Sequence, residues 1–250
     1  MSFRQLKING WQQFQEIELN FHERLTILTG ANGSGKTTIL NLLARHHDWP
    51  AQSLATPTRR RGKQRFEFLI RLFRMSSESD RDESQETEIG TLVYESGQKA
   101  TLVVRRTNAP QYQININGQQ SVACFFIPSH RPVYRYEAVN QIPTGRQTKD
   151  TAFQRVWEST KTRYFGGQVR SASFHMKEML ISWSIFGRGN EDMPADEELL
   201  SLYLGFQVVL RKILPPSLGF RQFAIRDMEV VLECESGDFL IDAASGDLVL

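Results

Sequence analysis

The segment L-T-I-L-T-G-A-N-G-S-G-K-T-T-I-L-N-L-L, from Leu25 to Leu43, governs everything that can be inferred about this chain. Inside it, Gly30-x-x-x-x-Gly35-Lys36-Thr37 has the spacing of a phosphate-binding P-loop. Leu25, Ile27 and Leu28 form a short apolar run that predicts a buried strand. Thr38 to Leu43 predicts a helix whose apolar face is Ile39, Leu40, Leu42 and Leu43. A strand, a glycine turn and a helix start together make an anion cradle. The first N–H groups of a helix have no intrahelical acceptor and lie at the positive end of its dipole. The binding loop is then Gly30, Ala31, Asn32, Gly33, Ser34, Gly35, Lys36, Thr37 and Thr38. Lys36 is expected to reach the β- and γ-phosphates of a nucleotide, and the Thr37 hydroxyl to coordinate Mg²⁺. A glycine turn serving structure alone would not need a lysine followed by two threonines.

Composition frames this without naming a partner. A chain of 250 residues, 40% hydrophobic and 23% charged, can bury a core as one large α/β domain or two small ones. Its net charge of +2 is small, but the charge is uneven. Residues 59–74 hold seven basic residues against one acidic, and residues 131–170 hold eight against three. From Asp227 onward there are seven acidic residues and no basic one. The basic segments 59–74 and 131–170 are candidate DNA contacts, although a basic run is more often a solvated face. Cys124 and Cys234 sit far apart in strand-like runs and predict reduced thiols of a cytoplasmic protein. The N-terminus opens on a strand pattern, so no leader is expected, and the most apolar window, Met179 to Phe186, is too short to cross a membrane. His46-His47-Asp48 predicts a polar helix end rather than a metal site, because no other cluster completes a ligand set.

Along the chain, residues 3–8 predict a strand, Asn9-Gly10 a turn, and Phe14 to Phe21 a second strand. Residues 48–62 predict a loop, Arg65 to Arg74 a half-exposed strand, and Ser76 to Glu88 an acidic loop. Thr91–Tyr94, Ala100–Arg105 and Tyr112–Ile116 predict an antiparallel sheet, with Ser96-Gly97 and Asn117-Gly118 as hairpin turns. Val122 to Pro128 predicts a central buried strand. Helices are expected near 151–163, 172–186 and 195–214, the last with a wide apolar face from Leu199 to Ile213 and a stop at Pro215-Pro216. Phe220–Ile225 and Met228–Cys234 predict further strands, closed by a turn at Ser236-Gly237-Asp238.

The lead-in L-K-I-N-G-W-Q-Q-F-Q-E-I-E-L-N-F, followed by L-T-I-L-T-G-A-N-G-S-G-K-T-T-I-L, resembles the N-terminal head of the RecF, SMC, SbcC and OLD-type ATPases. These are ABC-type heads within the AAA family. Asn32 falls where that group carries its asparagine. The resemblance covers residues 3–44 and implies an α/β P-loop NTPase fold: an ABC-type ATPase head with an inserted antiparallel β-subdomain and a helical lobe. It divides the chain into four parts. Residues 1–48 are the β lead-in, P-loop and first helix, and 49–128 the β-subdomain and Q-loop strand. Residues 129–216 are a loop and the helical lobe, and 217–250 a β-hairpin with a signature-like motif. The helical stretch lacks a sustained heptad, which excludes a long coiled-coil arm and places the head nearer RecF or OLD than SMC.

The resemblance further implies ATP and Mg²⁺ as ligands and a head-to-head homodimer. The segment F-I-P-S-H-R-P, ending at Pro132, resembles the I-P-x-x-R segment of OLD-like ATPases; no glutamine follows it, so His130 and Arg131 are the Q-loop candidates. D-A-A-S-G, Asp242 to Gly246, resembles the ABC signature, in which Ser245 and Gly246 would meet the γ-phosphate held by the other subunit. Asp247 departs from it, standing where the family carries a second glycine.

In such heads a Walker B strand ending in Asp-Glu follows, and the chain is expected to end before it. Val230–Glu235 is superficially similar, but its alternation predicts a half-exposed strand, and Phe239–Asp242 is too short and lacks the glutamate. The catalytic residue for hydrolysis is therefore unknown. Three alternatives stay open: a non-catalytic fragment, a transporter-type ABC subunit, which predicts a glutamine Q-loop and L-S-G-G-Q, and a small-molecule kinase, which leaves the β-insertion unexplained.

Overall fold

A computed structural model describes residues 2–47, 49, 52–58, 67–69, 86–105, 109–128 and 136–242. The chain divides into two compact units, Met1–Phe126 and Ile127–Leu250.

The first unit is built on one antiparallel sheet. Its strands are β1 (Phe3–Trp11), β2 (Phe14–Asn20), β6 (Glu86–Tyr94), β7 (Lys99–Arg105) and β9 (Ile114–Asn117), in the order β2-β1-β6-β7-β9. Two short pairs accompany it: β3 (Ser53–Leu54) with β8 (Gln111–Tyr112), and β4 (Thr56–Thr58) with β5 (Glu67–Leu69). The lead-in strands and the later hairpin strands thus share a single sheet. Alternation along β1 buries Leu6 and Ile8 while Gln5 and Lys7 face outward. Ile89, Leu92, Leu102, Val104 and Ile114 supply the rest of that face. Onto the same core packs α1 (Lys36–Ala44), through Ile39 and Leu42.

Several details differ from the expectations. The first strand does not turn at Asn9-Gly10; it runs on to Trp11, and the turn falls at Gln12-Gln13, with Gln12 at φ 52°. Trp11 and Phe14 are both buried, so the apolar pair draws the ladder two residues further than the turn signal. The Ser96-Gly97 turn does close a hairpin, whereas Gly118 follows β9 and closes none. Of the expected apolar face of α1, Leu40 is exposed.

The larger difference concerns the run before the P-loop. Residues 25–28 form no strand, and Leu25 and Ile27 are 68% and 71% exposed. Val122 to Pro128 likewise forms no strand, with Phe125 and Ile127 exposed. A buried strand requires a neighbour to pair with, and among the described residues no strand pairs with either run. Of the strand expected at 65–74, residues 67–69 form β5, and the others lie outside the described residues.

The second unit holds α2 (Lys149–Tyr164), α3 (Ala172–Arg188), α4 (Glu197–Ile213) and a three-stranded antiparallel sheet, β10 (Phe220–Arg226), β11 (Glu229–Cys234) and β12 (Phe239–Leu240), with β11 central. Each helix begins on a side-chain cap. Thr148 accepts from the Thr151 N–H, Ser171 from the Phe174 N–H, and Asp196 from the Glu198 and Leu199 N–H groups. Helix α3 is the spine, burying Met179, Leu180, Ile181 and Trp183. Gly187 lets α4 approach closely, since a Cβ there would meet the Leu200 nitrogen at 2.6 Å. The wide apolar face expected for α4 is divided: Leu199 and Tyr203 are buried, while Leu204, Val208, Val209 and Ile213 are exposed. No helix among the described residues is long and apolar enough to cross a membrane.

Candidate functional site

Residues 30–38 form a loop that rises into the start of α1. Gly30, Gly33 and Gly35 have φ of 144°, 83° and 94°. At Gly35 the requirement for glycine is double: the backbone is left-handed, and an added Cβ would lie 2.3 Å from Phe14 Cζ and 2.3 Å from Gln13 Nε2. The turn of the β1–β2 hairpin therefore supports the base of the loop.

The N-terminus of α1 is chemically unlike those of the three helices in the second unit. Its N-cap is Gly35, no side chain caps it, and its first turn carries no acidic residue. Helix α4, by contrast, starts on Asp196, Glu197 and Glu198. The first N–H groups of α1 are thus left for an acceptor from outside the chain. The Lys36 ammonium lies folded over the loop, donating to the carbonyls of Gly30 at 2.7 Å and Ala31 at 2.9 Å and to Ser34 Oγ at 3.4 Å. These acceptors hold it across the mouth of the loop. Thr37 is exposed beside it.

Next to this loop lies a cavity of about 340 Å³, lined by Gln12 and Gln13 from the hairpin turn, Thr38, Asn41 and Arg45 along α1, and Leu54 of β3. Its polar lining is neutral amides and hydroxyls with the one guanidinium, set among Trp11, Leu42, Leu54 and Ile114. Burial pushes the Arg45 pKa down. In the cavity wall, the buried Trp11 indole donates to Tyr112 Oη at 2.9 Å, and Gln12 Nε2 donates to the same oxygen at 3.1 Å. No sequence motif marked Gln12, Gln13 or Asn41.

Other expected site residues fall elsewhere. His130, Arg131, Ser245 and Gly246 lie outside the described residues. His46 is buried, its Nε2 2.6 Å from Tyr94 Oη, while Asp48 lies outside the described residues. No group of three metal-ligating side chains occurs among the described residues. Both cysteines are free thiols, and burial pushes the Cys124 thiol up to about 11. Within 131–170, Arg146, Arg155, Lys161, Arg163 and Arg170 each face a carboxylate: Asp196 and Glu198, Glu178, Glu158, and Glu137 for the last two. Glu233, in the run that superficially resembled Walker B, is held by Gln222 and Arg226.

A glycine loop leading into an uncapped helix, with a lysine across its mouth and a threonine beside it, defines a P-loop nucleotide-binding protein. The chain matches the family model of the AAA domain over residues 5–170, well over half its length, and belongs to that family of ATPases. No curated protein matches it.

Proposed function

We propose that this chain is the ATP-binding portion of an ATPase of the RecF/OLD-like, ABC-type group, with ATP and Mg²⁺ held by residues 30–38. The observation that carries the proposal is the start of α1, the helix that has neither a side-chain cap nor an acid in its first turn and has a lysine ammonium folded over its glycine loop. The loop N–H groups and Lys36 would hold the β- and γ-phosphates, and Thr37 the Mg²⁺. Mg²⁺ keeps several waters and takes few protein ligands when phosphates supply the others, so one threonine hydroxyl fits its needs at this end of the site. Bound Mg²⁺ would neutralise charge on the phosphates. The cavity lined by Gln12, Gln13, Thr38 and Asn41 would accept the base, offering amide donors and acceptors for its edge.

In this assignment 1–48 is the lead-in, P-loop and first helix, 49–128 the β-subdomain, 129–216 the loop and helical lobe, and 217–250 the hairpin with the signature-like motif. Ser245 and Gly246 would meet the γ-phosphate of a second copy in a head-to-head dimer, and His130 or Arg131 would serve as the Q-loop. Several cations of 131–170 pair with carboxylates of the chain, and most of 59–74 lies outside the described residues, so a DNA path is supported by the basic charge of these two segments together with the resemblance. DNA repair rests on the resemblance.

The test is ATP turnover and ATP-dependent self-association of the chain, with Lys36→Ala and Ser245→Ala variants and with DNA added or omitted. Turnover that Lys36→Ala abolishes supports an ATPase and refutes the non-catalytic alternative. Binding without turnover assigns the chain to nucleotide binding alone. Absence of both overturns the proposal.

A further inference from the structure

Helix α4 divides lengthwise. Leu199, Tyr203 and Gln207 are buried along one side. On the other side Glu197, Ser201, Leu204, Gly205, Val208 and Lys212 share a sector of roughly 100°, given about 100° of turn per residue. All six are exposed, as are Val209 and Ile213 at the border of the sector. Leu204, Val208 and Val209 are each close to half exposed, and Ile213 is 67% exposed. Single exposed apolar residues are ordinary, whereas a contiguous stripe of them marks an interaction surface. Gly205 stands in the middle of the stripe, and a Cβ added to it would meet nothing within 4 Å. The helix surface is therefore low at residue 205, beside the projecting Leu204 side chain.

The charges at the ends of the stripe identify its occupant. It begins at Glu197 in the first turn of α4 and ends at Lys212 in the last. Several other charges of this unit are met inside the chain. The buried Lys177 meets the Glu137 carbonyl, Glu229 and Asp242, Glu198 meets Arg146, and the Arg211 guanidinium donates to the Arg221 carbonyl. Among the described residues, neither Glu197 nor Lys212 forms an ion pair. The two are fifteen residues apart, or about 22 Å along the axis, and their midpoint falls between Leu204 and Gly205. A second α4, laid antiparallel about a two-fold axis at that midpoint, matches the stripe to itself. Glu197 of each copy then meets Lys212 of the other, Ser201 meets Val208, and Leu204 meets the low point at Gly205. A parallel pair would set Glu197 against Glu197 and Lys212 against Lys212, and like charges repel.

We propose that the exposed face of α4 is an interface between two copies of this chain, which pair through antiparallel α4 helices. The pairing needs no nucleotide. It is separate from the ATP-dependent head-to-head dimer of the proposed function and does not rest on that reading. A single helix pair buries less than the roughly 1,600 Å² of a standard protein interface, so the pairing is reversible and micromolar. The apolar stripe supplies the affinity. The terminal ion pairs are exposed, contribute little energy and fix the orientation and register.

The experiment is sedimentation velocity on the full chain over a range of concentrations, without nucleotide. Wild type is compared with Val208→Asp, Glu197→Lys, Lys212→Glu and the variant carrying both charge changes, with circular dichroism to show that each is folded. Wild type is expected to show a reversible monomer–dimer equilibrium. Val208→Asp places a carboxylate in the stripe and should weaken the dimer by at least about tenfold, with ATP affinity within about twofold of wild type. Glu197→Lys and Lys212→Glu each set like charges opposite one another and should weaken the dimer severalfold. The double variant restores opposite charges and should recover most of that loss. If Val208→Asp fails to fold, the charge variants decide. A chain that is monomeric at every concentration overturns the proposal; a lowered melting temperature in Val208→Asp would then assign the face to contact within the same chain. A dimer that Val208→Asp leaves intact also overturns it, as does a dimer seen only with ATP. Failure of the double variant to recover overturns the antiparallel register and the proposal with it.

Discussion

Gly35 lies directly against the ring of Phe14, so close that a methyl group on residue 35 would stand 2.3 Å from Phe14 Cζ. The hairpin that precedes the P-loop in sequence is thereby the surface on which the loop is seated. Gly35→Ala must displace that ring and also force an L side chain into a left-handed backbone at φ 94°. Loss of ATP binding by more than about tenfold is expected, read by titration with a fluorescent nucleotide. Phe14→Ala, by contrast, empties a buried site and should lower stability by about 3–5 kcal/mol in urea unfolding.

The buried Trp11 indole has Tyr112 Oη as its acceptor. Tyr112→Phe keeps the ring and removes the oxygen, leaving a buried N–H unmatched. A loss of about 1–3 kcal/mol is expected from denaturant unfolding. In a Trp11→Phe background the Tyr112→Phe penalty should shrink, because the donor it orphans is gone.

Asp196 caps α4, and the Arg146 guanidinium beside it, with the N–H groups of Leu199 and Glu198, holds its carboxyl below the usual aspartate range. The folded pKa is therefore lower than the unfolded one. The stabilisation is fully present above the ordinary aspartate pKa and is lost as the pH falls through the depressed folded value. Asp196→Ala should lower the unfolding midpoint by a few degrees at pH 7, and the gap from wild type should close in acid. Thermal unfolding followed by circular dichroism at pH 7 and pH 3 reads both. A gap that widens in acid would contradict the assignment.

How far the sequence carried differs between the two units. The helices of the second unit could be placed from local chemistry: Thr148, Ser171 and Asp196 cap them, and Gly189 and Pro215 lie at their ends. The Gly97 turn was equally local. The P-loop could be recognised because its function resides in a contiguous run of backbone and two side chains. What could not be read was pairing. Leu25 to Leu28 and Val122 to Pro128 have the apolar content of buried strands, but burial depends on a neighbour that periodicity does not supply. The divided face of α4 has the same origin, since Val208 and Val209 are as apolar as Tyr203 and differ only in what lies opposite them. Lys177 was invisible for a third reason: its acceptors are at 137, 229 and 242, and its one local sign was a charge among Phe174, Met179 and Leu180.

The central claim is that the uncapped start of α1 and its glycine loop bind the phosphates of ATP through Lys36. It is tested most directly by equilibrium binding of ATP to the full chain, with and without Mg²⁺, alongside Lys36→Ala and Thr37→Ala. Saturable binding is predicted for wild type, weakened by at least about tenfold in Lys36→Ala. Thr37→Ala is predicted to keep Mg²⁺-free binding and lose the strengthening that Mg²⁺ brings. Equal affinity of wild type and Lys36→Ala would contradict the account.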